Sequence, residues 1–390
     1  IAPVTQTVLS LLTGVLERVA KNPRNPQHNH YMFESIAVLV KAVCTQDASA
    51  VANFEALLFP PFQTILQMDV SEFTPYVFQI LAQLLEFKAA GSPLGDSYTA
   101  LFTILLVPQI WERTGNIPAL TRLVSAYFGL AGAELAQNSK TLEGVLGVFQ
   151  KLISSEANEQ NAFLLLTSLI MFVPSGSLEQ YMQPIFSVLL TVLSKRKKPR
   201  FKRLATNFFA VISGKYGASY IFQQINSIQS GLGMNLFMNV WVPRLVNDPP
   251  VRLDSKIQVV GLTRVLCEIP EFLAEESTRK VWAVAVRAVV GLVSSPDFRA
   301  GAGRDGAEDT PVDVEITYDS SYSSLHFANR PQLDPFAEIT NPGMVFAQGL
   351  GRVNASSPGV IRSLIETEMK DNQKLSTSFN QLLSQHQINI

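Results

Sequence analysis

Charged residues are scarce in this sequence. They make up 16% of the 390 residues, whereas hydrophobic residues make up 47%. Typical soluble proteins carry roughly 25% charged residues. The 31 Lys and Arg residues are balanced by 32 Asp and Glu residues, so the chain has no global positive field for nucleic acid. A mean hydropathy of +0.18 requires extensive burial, which excludes intrinsic disorder for most of the chain.

Cysteine and histidine are also rare. Cys44 and Cys267 are too few for a disulfide framework or a cysteine-built zinc site, and we interpret both as small core residues rather than nucleophiles. His28 and His30 are interpreted as part of a helix entry beside Pro26 rather than as metal ligands. The sequence contains neither a G-x-S-x-G elbow nor an H-E-x-x-H motif. We therefore expect no catalytic residues, no metal and no cofactor.

Long hydrophobic runs are absent too. The longest apolar stretch, from Ala162 to Val173, is shorter than the ~20 residues that a bilayer core requires. No basic region precedes the first apolar segment, as it would in a signal peptide. The chain opens with Ile1 rather than Met, so we expect a piece of a longer protein. Together these points predict a soluble, intracellular chain with reduced thiols.

Helical periodicity, in contrast, is abundant. A first helix with an apolar stripe is predicted by six residues that fall on one face at helical spacing, Val4, Val8, Leu11, Leu12, Val15 and Val19. Similar patterns follow along the chain, separated by short polar breaks. Those later predicted helices lie near residues 71–88, 97–108, 118–136, 141–154, 159–173, 178–194, 200–214, 254–268, 277–293, 337–354 and 358–385.

Internal similarity favours a stacked array of these helices over one large bundle. Pro61 and Pro184 occupy similar apolar segments and lie 123 residues apart, or three periods of about 41. HEAT repeats have a period of ~40–47 residues. The fold class that we predict is therefore all-α, a HEAT-repeat superhelical solenoid of about nine repeats of ~42 residues.

One segment departs from the helical pattern, between Ser294 and Glu338. Its Gly301–Gly306 run matches G-x-G-x-x-G but lacks the strand and helix of a dinucleotide site, so we interpret it as a loop. Residues 312–318 alternate as a strand does, and apolar residues up to Phe336 predict docking on the array. We therefore predict stacked HEAT-type repeats over 1–293, an acidic, partly extended insertion over 294–338 and a C-terminal helical repeat over 339–390.

A dense basic cluster is the sharpest charge feature of the sequence. Seven of the nine residues from 195 to 203 are basic. Three interpretations are open: a solvated turn, contact with an acidic partner surface or the acidic loop, and nucleic-acid binding. The candidate partner-binding residues are these seven and three acids of the insertion, namely Lys195, Arg196, Lys197, Lys198, Arg200, Lys202, Arg203, Asp313, Glu315 and Asp319.

Several strings resemble the importin-beta (karyopherin) family, specifically the C-terminal half of an export receptor. They include Asn29–Ile36, Trp111–Leu120 and Gly147–Ile153. The resemblance implies a superhelical HEAT-repeat receptor, not an enzyme, that shuttles through nuclear pores between nucleus and cytoplasm. It further implies two partners, importin alpha as cargo and Ran in its GTP form, with much of the Ran contact made by N-terminal repeats outside this chain. No membrane or nucleic-acid partner is expected.

Two other functions are compatible with the residues alone. One is a HEAT-repeat scaffold subunit of a complex unrelated to nuclear transport. The other is an enzyme that uses the 294–338 segment as a lid over a pocket of convergent polar groups. Nucleotide-dependent binding to Ran would distinguish transport from the scaffold, and such a pocket would favour the enzyme.

Overall fold

The computed structural model describes residues 2–301 and 323–390, with side chains over 4–298 and 323–390. Within these ranges the regular structure is helical and contains no strand, as the all-α prediction requires. The strand-like pattern at 312–318 lies outside the described residues. None of the described helices has the length and apolarity needed to cross a membrane.

The first compact unit comprises residues 2–177 together with 323–331. Helix α4 packs against α2 and α6, and α6 packs against α8, so these four helices form one row. Helices α1 and α3 contact each other beside that row, and each row helix pairs with the helix before it. The helices are α1 (Ala2–Ala20), α2 (Pro26–Cys44), α3 (Val51–Gln67), α4 (Thr74–Phe87), α5 (Asp96–Leu105), α6 (Ile117–Leu135), α7 (Ser139–Ile153) and α8 (Glu159–Phe172).

The second compact unit comprises residues 178–301 and 332–390. Helix α14 packs against α10 and α17 in one row, while α15 packs against α14, α18 and α19. A π-helical turn at Phe237–Trp241 separates α12 from α13. The helices are α9 (Ser175–Lys195), α10 (Pro199–Tyr216), α11 (Ala218–Ile228), α12 (Leu232–Leu236), α13 (Val242–Asn247), α14 (Arg252–Glu268), α15 (Glu276–Ser294), α16 (Pro296–Gly301), α17 (Pro342–Ser356), α18 (Val360–Met369) and α19 (Gln373–Gln385).

The two prolines used for the repeat spacing both lie inside helices. Pro61 is in α3 and Pro184 is in α9, which are the first helices of their pairs. The pairs that begin with α5 and α7 come between them. From the pair with Pro61 to the pair with Pro184 there are thus three repeat steps, as the spacing of three periods of about 41 predicts.

Each of the three tryptophans is buried with its indole N–H satisfied. Trp111 donates to the Leu105 carbonyl at 2.8 Å, and Trp282 donates to the Leu266 carbonyl at 2.9 Å. Trp241 donates to Oε1 of Gln258 at 2.8 Å. Large buried side chains with a paired polar atom fix a helix in one position, because moving it leaves a donor unpaired.

The apolar stripe predicted for α1 lies on the exposed side of the helix. Val4 and Leu11 are each 67% exposed, whereas Leu9 and Leu16 are 2% and 0% exposed. The valine-rich stripe matched helical spacing, but α1 packs on α2 and α3 through the neighbouring stripe. Both stripes are apolar, so helical spacing alone did not identify the buried one.

The predicted helix over 358–385 is two helices. Asn372 accepts a hydrogen bond from the Leu375 N–H at 3.1 Å and so caps a new helix, α19, after α18 ends at Met369. Farther upstream, α17 begins at Pro342 rather than near 337, because Asn341 caps it in the same way through the Met344 N–H. Asparagine favours caps over helix interiors, which explains both boundaries.

Candidate protein-binding site

The basic cluster lies at the junction of α9 and α10. Lys195 ends α9, and Pro199 occupies the first turn of α10, where a proline is well tolerated. All seven predicted basic residues thus lie between the last residue of α9 and the first turns of α10. Five of them are exposed and two are half-buried, Arg196 and Lys202 being the half-buried pair.

Lys195 in the last turn of α9 lies at a helix C-terminus, which favours cations, whereas the α10 end of the cluster is unfavourable for them. The N-terminus of a helix carries a partial positive charge, and the first turn of α10 contains no acidic residue to offset it. A helix N-terminus with this charge distribution attracts anions. The cluster and the start of α10 together form a surface that favours carboxylates or phosphates.

A buried arginine adjoins the cluster, and the sequence pattern did not single it out. The Arg244 side chain is 3% exposed and lies 3.8 Å from Asp248. Its three guanidinium nitrogens have no hydrogen-bond partner among the described residues. Burial lowers the pKa of Arg244; the nearby charges of Asp248 and Asp254 oppose that change, and Arg203 of the cluster adds to it.

Residues 323–329, which we call the docked segment, contact the α2–α4–α6 row. The Gln79 amide donates to the Ser323 carbonyl at 3.0 Å and accepts from the Leu325 N–H at 2.8 Å. Four further hydrogen bonds among the described residues also reach the main chain of the docked segment. They are His326 N–H to Glu34 Oε1 at 2.5 Å, Phe327 N–H to Glu34 Oε2 at 3.1 Å, Gln83 Nε2 to the Phe327 carbonyl at 3.1 Å and Arg122 Nη2 to the Ala328 carbonyl at 2.5 Å.

The polar residues that hold the docked segment were not predicted. Gln79 and Gln83 lie one helical turn apart in α4, whose other buried positions are almost all apolar. A pair of glutamines four residues apart in such a helix indicates a polar partner, because buried amides require hydrogen bonds. That spacing was the available signal, whereas the contact with a segment more than 200 residues away was not visible in the sequence.

Residues 332–341 contact α10 and α14 within the second unit. Lys256 Nζ lies 2.6 Å from Asp334 Oδ2, and Lys215 Nζ lies 3.1 Å from Glu338 Oε1. Phe336 is 1% exposed, and the same Lys215 ammonium lies 5.3 Å from its ring centroid. This part of the chain is therefore held by one buried aromatic ring flanked by two ion pairs.

Other predicted positions lie outside the described residues. Asp313, Glu315 and Asp319 are among them, as are Gly303 and Gly306 of the glycine run, so their proposed roles stay predictions. The division of the chain at 293 and 338 also stays a prediction.

Features suited to chemistry are few among the described residues. No group of three or more His, Cys, Asp or Glu side chains there could hold a metal ion. His28 lies beside Asn29, whereas His30 is enclosed by Tyr76 and Glu34. A cavity of about 420 Å³ lies near the end of the second unit, and His386 is the one titratable residue in its lining.

The helix pairs stack in rows, as in a helical-repeat protein. One row holds the docked segment through polar side chains, and a basic cluster lies between α9 and α10. A family described as CAS/CSE protein, C-terminus, matches residues 1–378. The chain belongs to this family, which comprises nuclear export receptors of the karyopherin type. The predicted family resemblance is thereby confirmed.

Individual relatives agree with the family match. Exportin-2 of Xenopus laevis is 39% identical over 377 residues, and exportin-2 of Homo sapiens is 36% identical over 373 residues. Each alignment covers 95% of this chain and 38% of the relative's own length. The chain thus spans about two fifths of the length of these relatives.

A solved structure supports the fold class. The exportin Cse1 in its cargo-free, cytoplasmic state matches with a TM-score of 0.77 and 28% sequence identity, over 98% of this chain and 38% of that one. The predicted all-α HEAT-repeat solenoid is confirmed.

Proposed function

We propose that this chain is the C-terminal portion of an export receptor that binds importin alpha together with GTP-bound Ran and returns importin alpha from the nucleus to the cytoplasm. The observation that carries the proposal is the match to exportin-2 proteins across 95% of the chain, which includes both helix rows. Such a receptor shuttles between the two compartments and works by binding, without catalysing a reaction.

The basic cluster is the surface that we propose for an acidic partner. Most of its cations lie at the positive end of α10, so an anionic surface relieves their mutual repulsion and is attracted by the helix N-terminus. Attraction of this kind accelerates association more than it slows dissociation, and salt weakens it. Asp313, Glu315 and Asp319 are proposed as a second, acidic contact.

Binding to Ran loaded with GTP or GDP, with and without importin alpha, tests the transport function. We expect the chain to retain importin alpha more strongly when Ran carries GTP, because coupled binding of two partners is reciprocal. The receptor used for this measurement includes the N-terminal repeats, because much of the Ran contact is expected from them. Retention by that receptor that is equal with GTP and GDP, or absent with both, contradicts the proposal. Equal retention would favour a scaffold function instead.

A charge-matched pair of variants tests the basic cluster. Replacing Lys195, Lys197, Lys198 and Lys202 by Ser should slow association with the acidic partner roughly tenfold at low salt. The control replaces four exposed lysines elsewhere, Lys21, Lys140, Lys370 and Lys374, and changes net charge equally. If the association rate falls equally in both variants, or in neither, the cluster is a solvated turn with no specific role in binding.

A further inference from the structure

The groove under the docked segment is lined by polar side chains that are almost fully buried. Gln79 is 0% exposed, Gln83 is 3% exposed and Glu34 is 8% exposed. Arg122 completes the groove, held on its other side by Glu86 at 2.7 Å. Buried polar groups require partners, and the main chain of the docked segment pairs with the Gln79 amide, both Glu34 oxygens, Gln83 Nε2 and Arg122 Nη2. Oε1 of Gln83 has no partner among the described residues.

The groove recognises main chain rather than side-chain chemistry. Every hydrogen bond described above ends on a backbone N–H or carbonyl of the docked segment. Two side chains of the segment are fully buried, Leu325 at 0% and Ala328 at 2% exposure. Ser324 and Asn329 are exposed. Selectivity therefore rests on a leucine and, three residues later, a small residue.

The docked segment has little regular structure of its own. Among the described residues, its one internal main-chain bond joins the Asn329 N–H to the His326 carbonyl at 3.1 Å. Detachment therefore breaks the contacts with the groove but no helix or strand. A segment without a helix or strand of its own is able to detach by local opening, without unfolding of the helices beneath it.

We propose that the groove formed by Glu34, Gln79, Gln83 and Arg122 is a binding site for extended peptides with a Leu-x-x-small pattern, and that the docked segment is its exchangeable ligand within the same chain. A partner protein that presents a segment of this chemistry displaces the docked segment and forms the same backbone hydrogen bonds. Backbone recognition with side-chain pockets for specificity is a common mode of peptide binding. This proposal does not depend on the transport function.

A labelled peptide with the sequence of residues 320–331 tests the site. The chain with Leu325→Asp should bind this peptide at least tenfold more tightly than the unmodified chain, because the internal competitor no longer occupies the groove. Adding Gln79→Leu to that variant should weaken binding at least tenfold, and a peptide with Asp in place of its leucine should not bind. Equal binding, or no saturable binding, by the chain with and without Leu325→Asp overturns the proposal.

Hydrogen exchange of the unmodified chain gives a second test that does not depend on the variants folding. The amides of Leu325, His326 and Phe327 should exchange at least about 100-fold faster than buried amides of α4, although all three are hydrogen-bonded. Exchange at the rate of the α4 amides would show that the docked segment leaves the groove only when the unit unfolds. That result also overturns the proposal.

Discussion

Gly261 of α14 lies directly against Ala210 of α10. A Cβ atom at position 261 would lie 2.4 Å from the Ala210 carbonyl oxygen and 2.5 Å from its Cα. Both atoms belong to the backbone of a buried helix, so they cannot move aside as the end of a flexible side chain can. Glycine is thus the residue that allows these two row helices to approach so closely.

Gly261→Ala should destabilise the second unit by roughly 1–3 kcal/mol, because the added methyl group forces the helices apart. Chemical denaturation monitored by circular dichroism measures this change. Gly147→Ala is the matched control, since nothing lies within 4 Å of a Cβ at that position in α7. It should be neutral or stabilise its helix by up to about 1 kcal/mol. Equal effects of the two substitutions would contradict the packing argument.

Phe336→Ala should also destabilise the second unit, by about 3–5 kcal/mol, the usual cost of removing a buried aromatic side chain. The ring is 1% exposed and packs directly against Gly214, where a Cβ would lie 2.3 Å from its Cζ atom, so its removal leaves a buried cavity.

The control for Phe336→Ala is Met344→Ala, in the same unit, where the side chain is 39% exposed. Thermal denaturation of both variants should show a clear loss of Tm for Phe336→Ala alone. A normal Tm for Phe336→Ala would mean that residues 332–341 contribute little to the fold of the unit.

The free energy of unfolding of the first unit should decrease as the pH is lowered below about 6.5, and His30 should contribute to this decrease. Burial lowers the pKa of His30 below 6.5, against a smaller opposing effect of Glu34. As the pH falls, the unfolded chain therefore takes up a proton at this residue before the native protein does. Because the unfolded state then binds more protons, the free energy of unfolding decreases with falling pH in this range.

Urea denaturation at pH 7.5 and pH 5 tests this assignment. His30→Gln should reduce the loss of stability between the two pH values, whereas His28→Gln, at an exposed position, should leave it unchanged. A pH dependence that is identical in the His30→Gln variant and the unmodified chain would exclude His30 as a source. Tyr76, whose hydroxyl lies 3.2 Å from His30 Nδ1, would remain in place in both variants.

Both cysteines should react slowly with thiol reagents in the native protein. Burial raises the pKa of the Cys44 thiol to about 11 and that of Cys267 to about 12. The thiolate is the reactive form, so at pH 7.5 we expect rates at least about 100-fold below that of free cysteine. The reaction of the native chain with a disulfide reagent measures these rates. In denaturant, as a control, both thiols should react fully with the same reagent. If either thiol reacts rapidly in the native protein, that result contradicts its burial.

The sequence by itself determined the helical class, the spacing of the repeats and the family. Helical periodicity and the spacing of Pro61 and Pro184 are local or regular properties of the chain, so they can be recognised without knowing the tertiary contacts. The position of the basic cluster between two helices followed from the same pattern. Its role in binding stays a proposal, because charge density alone does not identify a partner.

Only the tertiary structure decided which stripe of α1 is buried and what the glutamines of α4 bind. Two apolar stripes of α1 have the same period, and packing against α2 and α3 selected the one with Leu9 and Leu16. The contact between Gln79 and Leu325 joins residues 246 positions apart. Hydrogen bonds between residues so far apart in sequence depend on the path by which the chain returns to its first helices. No local sequence pattern specifies that path.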